Sequence, residues 1–245
     1  MRVENATLIS YSYHRSILTV HLRNSPPNLS RSDPHCDGSS TDICVGKKDN
    51  PSLQTILNMR KLKLQVQMSL DGFVAGPNGE LEWIWLLERD EASFRKVIDL
   101  ADSCDTILLG RKMTPGFINH WENVVDNQPD SIEQPLAQRM VNMRKIVFSR
   151  TEKNMKGRNL EVESGELATA VHALKKQPGK DIMVYGGATF VSSLISQNLV
   201  DEYYIFRTPV AIGNGLSIFK EQKRLDLANT VNYKNGKVLE IYRPL

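Results

Sequence analysis

The apolar run Asp181-Ile182-Met183-Val184-Tyr185 stops at Gly186-Gly187-Ala188-Thr189, and Phe190, Val191, Leu194, Ile195 and Leu199 then recur at helical spacing. A buried strand that passes straight into an amphipathic helix demands a layered α/β architecture, with helices covering a sheet. Two glycines at that junction also bring bare backbone N–H groups and the positive end of a helix close to any negative ligand, most naturally a phosphate. Nucleotide binding is the expectation, although a glycine pair is equally ordinary tight-turn chemistry.

Two further segments repeat the arrangement. Asp105-Thr106-Ile107-Leu108-Leu109 reads as a short strand running into Gly110-Arg111-Lys112-Met113-Thr114, where a glycine permits close approach and two cations follow. Lys145-Ile146-Val147-Phe148 reads as another, ending in Ser149-Arg150-Thr151, two hydroxyls around a guanidinium that suit a phosphate monoester. Three strands thus share a C-terminal edge of glycine, hydroxyl and positive charge, and in open α/β sheets ligands bind at that edge.

Leu62, Leu64, Val66 and Met68 alternate with polar residues and predict a half-buried first strand, followed by Ser69-Leu70-Asp71-Gly72 and a loop holding Gly76-Pro77-Asn78-Gly79. Helical spacing recurs in Phe94, Val97, Ile98 and Ala101, and again in Leu167, Ala170, Val171 and Leu174. Near the end, 202–207 is β-branched and aromatic, and Lys234-Asn235-Gly236-Lys237 separates two alternating stretches, predicting a type I′ hairpin. The fold class expected is α/β, a mostly parallel central sheet flanked by helices with a C-terminal antiparallel hairpin.

Residues 1–58 carry only two aromatics and no sustained period, so they read as a disordered N-terminal extension ahead of one domain spanning 59–245. A net charge of +3, from 31 basic and 28 acidic residues, gives no basis for a nucleic-acid surface. No apolar stretch approaches a bilayer span, and no membrane partner is expected. The three cysteines, Cys36, Cys44 and Cys104, form no disulfide framework and fit a reducing, cytoplasmic setting. His35, Cys36 and Cys44 lack a fourth donor at a normal spacing, so no metal is assigned.

Taken in order, Ser69 to Gly72, Glu82-Trp83, Asp105 to Lys112, Ser149 to Thr151, Gly186 to Ala188 and Pro209-Val210-Ala211-Ile212-Gly213-Asn214-Gly215 resemble the dihydrofolate reductase superfamily. The closer likeness is to its riboflavin-pathway branch, the C-terminal reductase domain of the bifunctional riboflavin biosynthesis protein. The resemblance implies a dihydrofolate reductase-like fold and an NADPH cofactor across the sheet edge. It places Gly110, Arg111 and Lys112 at the cofactor phosphates, Ser149 and Arg150 at the adenosine 2′-phosphate, and Gly186, Gly187, Ala188 and Thr189 at the pyrophosphate. Trp83 would flank the nicotinamide. Met113 departs from the family's threonine, with Thr114 one position on, and the branch's glutamate before the glycine turn is here Val184 or Tyr185.

The implied activity is that of a 5-amino-6-(5-phosphoribosylamino)uracil reductase, with hydride transfer to a pyrimidine- or pterin-type small molecule. The alternatives are dihydrofolate reductase and a nucleotide-binding module without turnover. No proton donor is identified by the residues. Asp71 and Glu88 are the candidates, set against ordinary Asp-Gly turn chemistry for the first and a solvated charge run for the second. A homodimer through the late antiparallel strands is implied by the resemblance.

Overall fold

The apolar alternation from Leu62 onward becomes β1 (Leu62–Met68), which lies near the middle of an eight-stranded sheet rather than at its margin. The computed structural model describes residues 59–245. The extension read over 1–58, with its cysteines and His35, lies outside the described residues. The other strands are β2 (Cys104–Gly110), β3 (Arg144–Phe148), β4 (Leu160–Glu163), β5 (Asp181–Gly186), β6 (Glu202–Arg207), β7 (Leu225–Asn232) and β8 (Val238–Pro244). Their spatial order is β4-β3-β2-β5-β1-β6-β8-β7, with β1 to β6 mutually parallel and β8 antiparallel to both β6 and β7.

The helices are α1 (Glu91–Asp102), α2 (Thr114–Asn127), α3 (Gln134–Asn142), α4 (Leu167–Lys175) and α5 (Ala188–Ser196). Ile107, Leu109, Val147, Met183, Phe206 and Leu239 form one sheet face, packed with the apolar sides of α1, α2 and α3. Leu62, Leu64, Leu108, Ile146, Ile182 and Val184 form the other, beneath α4 and α5. Because both faces are covered, β1 is not half-buried as its alternation predicts: Lys63 and Gln65 are buried too. Lys63 is accommodated by extending its stem to Asp181 (2.8 Å) and Ser103 Oγ (2.9 Å). Lys145 is buried the same way, its Nζ donating to the carbonyls of Val141 and Met143 at the end of α3.

Two local irregularities shape the site. The β2–β5 register shifts between Leu108 and Leu109, so that Leu109 lies opposite Gly186 and β5 bends just before its glycines. The Asn-Gly hairpin is also not type I′, which requires positive φ at both central residues. Only Gly236 has it (φ 85), the Gly236 N–H donates to Tyr233 O, and Tyr233 N–H to Lys237 O. The turn is therefore a longer loop that closes on a left-handed glycine. Among the described residues, no helix is long and apolar enough to cross a membrane.

Candidate active site

The turn from β5 into α5 runs through Gly186 (φ 156) and Gly187 (φ 27), the second being the N-cap of α5. No side chain caps this helix, so its first N–H groups are left for a ligand. Across the turn, Gly110 at the end of β2 completes a notch of bare backbone. A Cβ on Gly187 would meet only Gly110 Cα, at 3.9 Å, whereas one on Gly110 would lie 2.8 Å from Phe190 Cβ. Met113 ties the two turns together by accepting the Gly187 N–H on Sδ at 2.9 Å, and the buried Thr114 hydroxyl donates to Gly110 O at 3.1 Å. The departure at position 113 thus has a structural use, and α2 too begins without a side-chain cap.

Arg111, Lys112 and Arg150 are exposed at this edge and form no ion pair among the described residues. Ser149 is buried, accepts the Glu152 N–H on Oγ, and keeps its own proton to donate. Ala188 is half-buried and Thr189 exposed at the start of α5. Trp83 lies in a 3₁₀ turn (Glu82–Trp85), is 6 % exposed, and buries its indole N–H without an acceptor. Such an orphaned donor is uncommon in a native fold and fits a site completed by a ligand. The structure thus brings Gly110, Arg111, Lys112, Ser149, Arg150 and Gly186 to Thr189 to neighbouring strand ends.

The two acid candidates differ in surroundings. The Asp71 carboxylate accepts from Ser69 Oγ (2.6 Å), Ile212 N (3.1 Å) and Gly213 N (2.7 Å). The Ser69 hydroxyl, joined by the Gly213 and Ile212 N–H groups, holds it below the usual carboxylate range. Asp71 is therefore a clamp between the loop after β1 and the loop after β6, and a poor proton donor. Glu88 is exposed, and its residue is engaged through its carbonyl, which accepts from Asn235 Nδ2 at 2.9 Å.

Sequence patterns missed a polar set on the face that carries α1 to α3. Gln67 Oε1 on β1 and Thr208 Oγ1, one residue past the neighbouring β6, are buried without partners close to the C-terminal edge. Tyr185 shares this face, packs edge-on against Phe117 with centroids 5.6 Å apart, and has its phenol pushed up to about 12 by burial. At the opposite edge a broad depression is lined by Arg60, Asp105, Arg144 and Glu161, but its cations are paired internally, Arg60 with Asp105 and Arg144 with Glu161. Among the described residues, no three His, Cys, Asp or Glu side chains cluster as metal ligands.

Residues 60–239 match the RibD C-terminal domain family. The chain belongs to that family. Membership supports a reductase-like role on a dihydrofolate reductase-like fold. The RibD C-terminal domain here is 33% identical over 189 residues to the uncharacterized protein YyaP of Bacillus subtilis, covering 76% of this chain and 96% of that one. A 51-residue stretch, 21% of this chain and 23% of its relative, is 47% identical to the 2,5-diamino-6-ribosylamino-4(3H)-pyrimidinone 5′-phosphate reductase of Archaeoglobus fulgidus. Among solved structures, Acinetobacter baumannii RibD superposes with a TM-score of 0.58 at 18% identity, over 77% of this chain and 59% of that one. That likeness carries the fold alone.

Proposed function

We propose that this RibD C-terminal domain is an NADPH-dependent reductase of a phosphorylated ribosylaminopyrimidine. The observation that carries the reading is the uncapped start of α5 above the Gly110–Gly187 notch, where the first helical N–H groups have no side-chain cap and form a backbone anion site. Gly186 to Thr189 would hold the pyrophosphate, Gly110, Arg111 and Lys112 the neighbouring phosphates, and Ser149 with Arg150 the adenosine 2′-phosphate. Bound NADPH would supply the hydride that converts a ribosyl side chain to ribityl. The protein's part is to orient the pyrimidine, exclude water and admit a proton. Trp83 would flank the nicotinamide, and the unpartnered Gln67 and Thr208 groups would offer the substrate side its polar contacts.

We also propose a homodimer through β7, an edge strand exposed along most of its length, with Leu227 51% exposed. The buried free thiol of Cys104, pushed up to about 11 by burial, suits a reducing cytosol. The test is NADPH oxidation by the full chain with 2,5-diamino-6-ribosylamino-4(3H)-pyrimidinone 5′-phosphate and with dihydrofolate. Turnover of the pyrimidinone alone is expected. Methotrexate-sensitive turnover of dihydrofolate would reverse the assignment, and NADPH binding with no turnover of either would mark a binding module.

A further inference from the structure

On the face that carries α1 to α3, strand register assembles three polar residues far apart in sequence. Gln67 lies opposite Phe206, and Phe206 opposite Leu239. One step nearer the C-terminal edge, just past the ends of β6 and β8, the pairing continues as Thr208 N–H donates to Met68 O and Tyr233 N–H to Lys237 O, so Thr208 shares the face of Phe206 and Lys237 that of Leu239. The hairpin closes there, a Cβ on Gly236 lying 3.3 Å from Pro209 Cγ.

Each of the three is chemically unfinished. Thr208 is wholly buried with no partner for its hydroxyl, and Gln67 Oε1 is likewise unpartnered. Lys237 is half-buried, and among the described residues only its backbone is hydrogen bonded, through its N–H to Asn235 Oδ1 and its carbonyl from Tyr233 N–H. Asp90 is the nearby carboxylate, but its two oxygens accept the Ser93 and Lys234 N–H groups and it forms no ion pair with Lys237. Elsewhere the fold gives buried lysines carbonyl or carboxylate partners, as at Lys145 and Lys175. A purely structural role would favour valine over an unsatisfied threonine.

We infer that Lys237, Thr208 and Gln67 recognise the heterocycle of the substrate, reading the adjacent carbonyl and N–H groups of a pyrimidinone. The inference rests on the reductase reading above. An ammonium and a hydroxyl donate to a ring carbonyl, while a carboxamide oxygen accepts the neighbouring ring N–H. A phosphate fits poorly here, because a near-dianion calls for more than one cation, and the unpaired cations Arg111, Lys112 and Arg150 lie at other strand ends. Burial holds Lys237 below the usual lysine range, opposed by Asp90, as expected of a cation awaiting a buried acceptor.

The test compares the full chain with Lys237→Met, Lys237→Arg and the shape-conserving Thr208→Val, using 2,5-diamino-6-ribosylamino-4(3H)-pyrimidinone 5′-phosphate. Lys237→Met should raise KM about tenfold or more with a smaller change in kcat, leave NADPH affinity unaltered, and be largely rescued by Lys237→Arg. Thr208→Val should raise KM in the same sense, and it decides the matter if Lys237→Met does not fold. An unchanged KM in a folded variant overturns the inference while the reductase reading stands. If the wild-type chain shows no turnover, calorimetric titration with the pyrimidinone replaces it: weaker binding by Lys237→Met supports the inference, and equal or absent binding overturns it. Failure of the wild-type chain to bind NADPH is the separate sign that the reductase reading is at fault.

Discussion

Replacing Gly187 with alanine probes the proposed nucleotide site at its narrowest point. At φ 27 and ψ 129 the residue holds a backbone conformation that L side chains rarely adopt, and imposing one costs about 1–3 kcal/mol. No steric term adds to this, because the new methyl finds only Gly110 Cα, at 3.9 Å. At about 2–4 °C per kcal/mol for a chain of this size, Tm should fall by about 2–12 °C. That methyl fills the notch over which a pyrophosphate must pass, so NADPH affinity should fall about tenfold or more, equivalent to about 1.4 kcal/mol. Gly110→Ala approaches the notch from the other side, and its Cβ, 2.8 Å from Phe190 Cβ, must push against a group rooted in the backbone of α5. Overpacking of that kind costs about 1–3 kcal/mol and should displace the helix start as well. Differential scanning fluorimetry gives the Tm values, and fluorescence titration with NADPH gives the affinities at a temperature where circular dichroism shows each variant folded. Wild-type affinity in folded Gly187→Ala would refute the assignment of this notch to the cofactor.

Arg150→Ala should weaken NADPH by about 1.5–3 kcal/mol, roughly 10- to 150-fold, and NADH hardly at all; equal weakening in parallel titrations would count against Ser149 and Arg150 as the 2′-phosphate site. Burial pushes Lys145 down to about 8 from 10.5, so between those values the unfolded chain retains a proton that the folded chain has lost. Stability should therefore climb across that window by up to about 3 kcal/mol, the penalty being complete below it, and urea melts of Lys145→Met should lack the climb. Leu227→Asp, on exposed β7, should shift a homodimer toward monomer in light scattering while Tm measured at low protein concentration changes by about 0.5 kcal/mol equivalent or less.

Local pattern revealed most of the elements and one half of the candidate site, while β4, α2 and α3 went unread. The strands ending at Gly110, Phe148 and Gly186 are short apolar runs with punctuating residues beyond them, and the alternation with helices requires their ends to share an edge. Strand order was not legible, since it depends on which runs pair across more than a hundred residues; β1 consequently reads as half-buried although it is covered on both faces. Gln67, Thr208 and Lys237 escaped for the same reason. Each is unremarkable among its sequence neighbours and becomes notable only when register sets it beside the others. Asp71 gave a visible Asp-Gly signal, but its clamp on Ile212 and Gly213 depends on a loop 141 residues away. The hairpin residues were visible too, and only the loop length, which sets the turn type, was not.

The central place of β1 has a kinetic consequence. Its partners β5 and β6 lie far downstream, as the 120-residue separation between Lys61 and Asp181 across the β1–β5 contact shows. At about 5–20 residues per second of synthesis, β1 leaves the ribosome roughly 6–24 s before its first parallel neighbour exists. During that interval its buried Leu62, Leu64 and Val66 have no strand to pair with, and closing so long a loop is slow. We predict that nascent chains stalled after β4 remain protease-sensitive through β1 and bind holdase chaperones there, and that protection appears only once β6 has emerged. Protection of β1 in the shorter nascent chains would show that another segment shelters it first.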